Sequence, residues 1–139
     1  MAVALVVDSS VAVKWCVDEL GSRAAIQLIG EPLIAPDIIL AEVANALWKK
    51  HLRGEVQADH AAASLSAVSQ FVNVVPSASL AGDAFALSVT LSHPVYDCFF
   101  LALAEQLDLE LVSEDQRFIR SCAGTSYARR VRRLQPNVS

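Results

Sequence analysis

Residues 3–8 read VALVVD, five consecutive apolar side chains that stop on a carboxylate and are followed by Ser9 and Ser10. A continuous, valine-rich run without polar alternation suits a strand covered on both faces, as inside a parallel sheet. Parallel neighbours cannot be joined by a hairpin, so the rest of the chain has to supply crossover segments. This stretch also puts Asp8 at the carboxyl end of a strand, the edge where open α/β sheets bind ligands.

The remaining segments fit that demand. "SSVAVKWCVDE" reads as a helix that starts on serine, and "SRAAIQLIG" as a second, short one closed by Gly30. "PLIAP" is a short strand, and "DIILAEVANALWKKHLRG" a long amphipathic helix that Asp37 can cap and Gly54 stops. "DHAAASLSAVSQF" is a helix and "VNVVP" a strand. "LAGDAFALSVTLS" and "YDCFFLALAEQLD" are helices separated by His93-Pro94. "LELVS" is a strand, "EDQRFIRSCAG" a helix and "RRVRRL" a final edge strand. Strands alternating with such helices imply right-handed crossovers. The expected fold is an α/β, three-layer α/β/α sandwich with a central parallel sheet, built as one domain over residues 1–139.

Three cysteines, Cys16, Cys98 and Cys122, form no CxxC pair and describe neither a disulfide framework nor a zinc site. A reducing compartment fits them. The N-terminal apolar run is too short for a secretory segment, and nothing approaches the ~18 uninterrupted apolar residues of a membrane helix. The expectation is a cytoplasmic protein without membrane contact. Hydrophobic residues make up 54% of the chain against 19% charged, a surplus suited to a homodimer interface, for which "LAGDAFALSV" and "CFFLALAE" offer apolar surface.

The net charge of −4 is unevenly spread. Residues 1–115 hold all 15 acids and five bases, giving −10, and residues 116–139 hold six arginines and no acid, giving +6. Two readings stand side by side: a segment that attracts phosphates, or a charged edge strand that discourages aggregation.

Three more acids share the conspicuous placement of Asp8. Glu42 lies near the apolar side of the long helix with Asn45 three residues on, Asp97 starts an apolar helix, and Asp115 follows a strand with Ser113 and Glu114 before it. Each aspartate taken alone reads as a helix cap, worth ~1 kcal/mol over alanine, and Asn45 alone reads as a core amide. Glu42 can be satisfied by a neighbouring Lys or Arg. Jointly, several carboxylates at one sheet edge repel unless a cation joins them. Oxygen donors without His or Cys select Mg²⁺ or Mn²⁺, which can activate water for attack on a phosphodiester.

"VVDSSVAVKW", "LAEVANALWK" and "VYDCFFLALAEQLDLELVSEDQRF" closely resemble, in order and separation, the acidic motifs of PIN-domain proteins, and most of all those of the VapC-type toxins of toxin–antitoxin systems. The resemblance implies a Mg²⁺-dependent endoribonuclease, commonly dimeric and inhibited by a small VapB-type antitoxin, through which any DNA contact would run. Carried over residue by residue, it implies metal ligation and catalysis by Asp8, Glu42, Asp97 and Asp115, supported by Ser10, Asn45 and Ser113. Asp115 is favoured over Glu114 as the last acid because it matches the "SEDQRF" pattern, and Cys98 stands where alanine is frequent.

Within that implied mechanism, Asp8, Asp97 and Asp115 hold the ion and Glu42 binds a second one or orients water. Ser10 holds Asp8 or a water in place, while Ser9 is a turn residue. His51, His60 and His93 are read as structural or surface residues, and Trp15 and Trp48 as core or interface aromatics. The rival readings are a PIN nuclease of another RNA-processing pathway and a PIN-fold binding module without turnover. A strand-end aspartyl phosphatase is disfavoured because Ser10 stands where a second aspartate belongs.

Overall fold

The computed structural model describes residues 3–135, so residues 1–2, and residues 136–139 of the basic segment and of the expected domain, lie outside the described residues. β1 (Leu5–Val7) is the central strand, and Val6 and Val7 are fully buried. It pairs in parallel with β2 (Leu33–Pro36) through Leu5↔Leu33 and Val6↔Ile34. On its other side it pairs in parallel with β4 (Leu111–Val112) through Val6↔Leu111 and Val7↔Val112. β3 (Asn73–Val75) and β5 (Val131–Arg132) form the edges, giving the order β3-β2-β1-β4-β5. The apolar run thus occupies the middle of a five-stranded parallel sheet, and "RRVRRL" supplies an edge strand.

Helices fill every crossover. α1 (Ser9–Cys16) and α2 (Ser22–Ile26) lead from β1 to β2, and α3 (Ile38–Leu52) and α4 (Ala58–Phe71) from β2 to β3. α5 (Ala81–Leu91) and α6 (Val95–Leu107) lead from β3 to β4, and α7 (Gln116–Cys122) from β4 towards β5. α1 packs on α2, α3 and α4, while α6 lies on β1, β2 and β4 with α5 against it. α6 is apolar nearly all round because it is enclosed: Cys98, Phe100, Leu101, Ala102, Leu103 and Ala104 are all buried. Among the described residues, no single helix is long and apolar enough to cross a membrane.

The strand order sets the site. From β1 the chain steps outward through β2 to β3, then returns across the sheet to place β4 on the other flank of β1. The connections leaving β1 and β4 therefore diverge, and a crevice opens outside their carboxyl ends. Asp8 and Asp115 stand there, immediately before α1 and α7.

Several local expectations change. α6 starts at Val95 behind Pro94, so Asp97 lies in its first turn rather than at its start. Asp37 makes no side-chain cap to α3; it accepts a hydrogen bond from Ser77 Oγ instead, at 2.5 Å. Ser9 is not a turn residue but the first residue of α1.

Candidate active site

Each carboxylate is positioned by a different segment. Asp8 ends the central strand and caps α1, its Oδ1 accepting from Ser10 N at 3.0 Å and Ser10 Oγ at 2.5 Å. Asp115 caps α7, accepting from Phe118 N at 3.1 Å, and its own N–H donates to Ser113 Oγ at 3.1 Å. For these two, capping and clustering hold together, because adjacent parallel strands both lead into helices at the same sheet edge. Glu42 projects from α3 and accepts from Ser9 Oγ at 3.1 Å, so its partner is this serine rather than a Lys or Arg. Asp97 Oδ2 lies 2.5 Å from His93 Nε2.

The four carboxyl groups are near enough to act on one another electrostatically. Burial pushes the Asp8 carboxyl, only 2% exposed, up to about 7; hydrogen bonds from Ser10 and Ser113 oppose the rise, and the charges of Asp97 and Asp115 add to it. Glu42 is likewise raised to about 7, by burial first, against the Ser9 hydrogen bond, and then by Asp97, Asp8 and Asp115. Asp97 is raised by burial, with His93 opposing and Asp115 adding. Like charges close together in a poorly solvated crevice each favour the protonated form of the others.

The supporting residues divide. Ser10 bridges, donating to Asp8 and accepting from the Glu114 N–H at 2.8 Å. Ser113 is fully buried between Asp8 and the Asp115 backbone. Asn45 is exposed rather than a core amide; it lines a pocket of about 370 Å³ beside Glu42 with Ile38, Ala41 and Tyr96. The Glu114 side chain turns to the C-terminal segment, where it accepts from Leu134 N at 2.8 Å and Arg133 Nη2 at 3.4 Å.

Sequence reasoning missed two contacts. Of the two readings of His93, structural or surface, the structural one holds: it is buried and bonds Asp97, a contact whose signal is its position four residues before that aspartate. Ser9 reaches Glu42 across 33 residues of chain, for which the sequence carries no signal. His51 and His60 are exposed. Trp15 is half-buried against the core, its Nε1 donating to Ala25 O at 2.8 Å, whereas Trp48 is 56% exposed. In the basic segment, Arg130 pairs with Glu105 (3.2 Å) and Asp108 (3.1 Å), Arg132 approaches Glu110 (3.8 Å) and Arg133 approaches Glu114 (3.4 Å), as a charged edge requires. The cysteines are free and buried, and burial holds each thiol at about 11, which removes them as nucleophiles at neutral pH.

The donor set is made of hard oxygens whose mutual repulsion a divalent cation would relieve. Among the described residues, no three His, Cys, Asp or Glu side chains are already arranged to hold a metal ion. The chemistry of the set fits such an ion, and Ser9, Ser10 and His93 hydrogen-bond Glu42, Asp8 and Asp97.

Comparison with known proteins agrees with this architecture. Ribonuclease VapC3 of Pyrobaculum aerophilum is 34% identical over 118 residues, covering 81% of this chain and 90% of the relative. The crystal structure of PAE2754 from Pyrobaculum aerophilum superposes with a TM-score of 0.67 at 25% identity, covering 90% of this chain and 89% of the other. A toxin–antitoxin complex from Klebsiella pneumoniae (TM-score 0.66, 19% identity, 96% and 99% covered) shares the fold. So does Mycobacterium tuberculosis VapC20, a sarcin–ricin loop cleaving toxin (TM-score 0.66, 18% identity, 87% and 95% covered). Residues 5–123 match the PIN domain, and with that match the chain belongs to the PIN-domain family.

Proposed function

We propose that the protein is a VapC-type endoribonuclease, a divalent-metal hydrolase of RNA phosphodiester bonds that acts as the toxin of a toxin–antitoxin pair. One observation carries the reading: four carboxylates from four separate segments act on one another at the β1/β4 crevice, and Asp8, Glu42 and Asp97 stay above their ordinary pKa even though His93 and Arg117 partly offset Asp97. The 34% identity to a ribonuclease VapC over most of both chains supports the activity.

The resident ion is Mg²⁺, with Mn²⁺ as substitute, because an all-oxygen set suits small hard cations. Asp8, Asp97 and Asp115 would hold it, with Glu42 beside them; when bound, it would supply an acidified water and charge neutralisation on the phosphate. The chain's own residues do the rest. Ser10 and Ser113 fix the Asp8 carboxylate, Ser9 fixes Glu42, and Asn45 lines the pocket next to Glu42 at which a nucleotide can enter. A hydrolysis of this kind leaves a 3′-hydroxyl and a 5′-phosphate and requires no nucleophilic side chain.

The whole chain, residues 1–139, acts as one nuclease domain in the cytoplasm. Its partners are RNA, a VapB-type antitoxin that mediates any DNA contact, and a second copy of itself. Phe85 and Val89, exposed one turn apart on α5, supply apolar surface for that homodimer. The test is RNA cleavage by wild type, Asp8→Asn and Asp97→Asn with Mg²⁺ and with EDTA. Cleavage by wild type in Mg²⁺ alone is expected; full activity in either variant, or in EDTA, overturns the reading.

A further inference from the structure

His93 is 6% exposed and held from several sides. Its N–H donates to Ser88 O at 3.2 Å and its carbonyl accepts from Ser88 Oγ at 2.5 Å, so α5 fixes the backbone. Its ring meets Phe118 of α7 edge-on, 5.2 Å between centroids. Nδ1 lies 2.9 Å from Ser121 Oγ, also on α7, and Nε2 lies 2.5 Å from Asp97 Oδ2 on α6. An ionised carboxylate can only accept, so Nε2 carries the proton towards Asp97; at Nδ1 the partner is the Ser121 hydroxyl, whose single proton is shared between Nδ1 and Arg117 O at 3.0 Å.

Asp97 depends on such a partner. It is the third residue of α6, where an acidic side chain ordinarily reaches back to the N–H of the capping residue. Here that residue is Pro94, which has no N–H. The local partner is missing, and the histidine one residue further back takes its place.

We propose that His93 is a positioning residue: it orients the Asp97 carboxylate for a divalent ion and, through Ser121 and Phe118, ties that orientation to α7, the helix capped by Asp115. The inference rests on the metal-site reading above. Hydrogen-bonded partners of metal-binding side chains, when removed, weaken metal affinity about 10–100-fold.

The experiment is Mn²⁺ titration of the intact protein, read by electron paramagnetic resonance, with melting temperature measured in parallel. Two replacements separate the ring nitrogens, because the Gln amide nitrogen falls near Nε2 and the Asn amide near Nδ1. His93→Asn, which keeps only the Ser121 side, is expected to bind Mn²⁺ about 10–100-fold more weakly. His93→Gln, which keeps a donor for Asp97, is expected to retain most of the affinity. A purely structural role would lower the melting temperature of both and leave Mn²⁺ binding at the wild-type value, and that result overturns the proposal. If His93→Asn does not fold, Ser121→Ala serves, since it removes only the outer anchor; unchanged affinity there overturns the link to α7. Should wild type bind no Mn²⁺, or Asp97→Asn bind it equally well, the metal-site reading itself fails and the positioning role fails with it.

Discussion

The Ser10 hydroxyl donates to Asp8 Oδ1 at 2.5 Å while accepting the Glu114 N–H at 2.8 Å. One side chain thus ties the exit of β1 to the exit of β4, across the point where the two connections diverge. Ser10→Ala removes a hydrogen bond to a buried acid and leaves the Glu114 amide without its acceptor. A loss of about 1–3 kcal/mol is expected in urea unfolding. A change indistinguishable from zero would mean that water replaces the hydroxyl freely.

Asp8 predicts how stability follows pH. Its carboxyl is raised from 3.8 to about 7 in the folded protein, so the folded state holds a proton that the unfolded chain has already released. The stabilisation from that proton is complete below about pH 4 and is lost as pH rises through 7, a difference on the order of a few kcal/mol for a buried acid. In EDTA the melting temperature should fall between pH 5 and 8, and Asp8→Asn should fall less steeply. Mg²⁺ should raise the melting temperature more at pH 8 than at pH 5. Equal slopes for wild type and Asp8→Asn would contradict the burial of this group.

Glu42 predicts a pH dependence of turnover. Its carboxyl is raised to about 7 chiefly by burial, and the Ser9 hydrogen bond is what opposes the rise. Ser9→Ala should therefore move the acid limb of the kcat/KM profile to higher pH, since the ionised form becomes harder to reach. An unmoved limb would separate Glu42 from the titrating step.

Asp115 and Glu114 are neighbours with different partners, Asp115 capping α7 and Glu114 accepting from the C-terminal segment. Asp115→Asn should abolish Mg²⁺-dependent cleavage. Glu114→Gln should keep it while loosening residues 131–135, because the Glu114 carboxylate accepts from Leu134 N and Arg133. Limited trypsin digestion reads this directly, with faster cleavage at Arg132 and Arg133 expected in Glu114→Gln. The reverse pattern would exchange the two assignments.

Much of this was legible in sequence because it depends on local rules. A continuous apolar run has to be buried on both faces, so "VALVV" declared a central parallel strand, and the alternation of strands with long helices declared the layers. Acids at strand ends and in the first turn of a helix are likewise visible as positions in a pattern. What the linear chain could not carry is which oxygen each acid meets. Ser9 lies next to Asp8 in sequence yet serves Glu42, because the first residue of α1 faces α3. Glu114 sits beside Asp115 yet points to the C-terminal segment, because successive residues leaving a strand point to opposite sides. His93 stayed open between a structural and a surface reading for the same reason: its contacts with Asp97 and Ser121 follow from Pro94 at the start of α6 and from the approach of α7, and that approach exists only once the chain has crossed back over the sheet. Periodicity and residue type decide the elements, whereas tertiary packing decides partners, since a hydrogen bond depends on separations of a few tenths of an ångström that no spacing in sequence specifies.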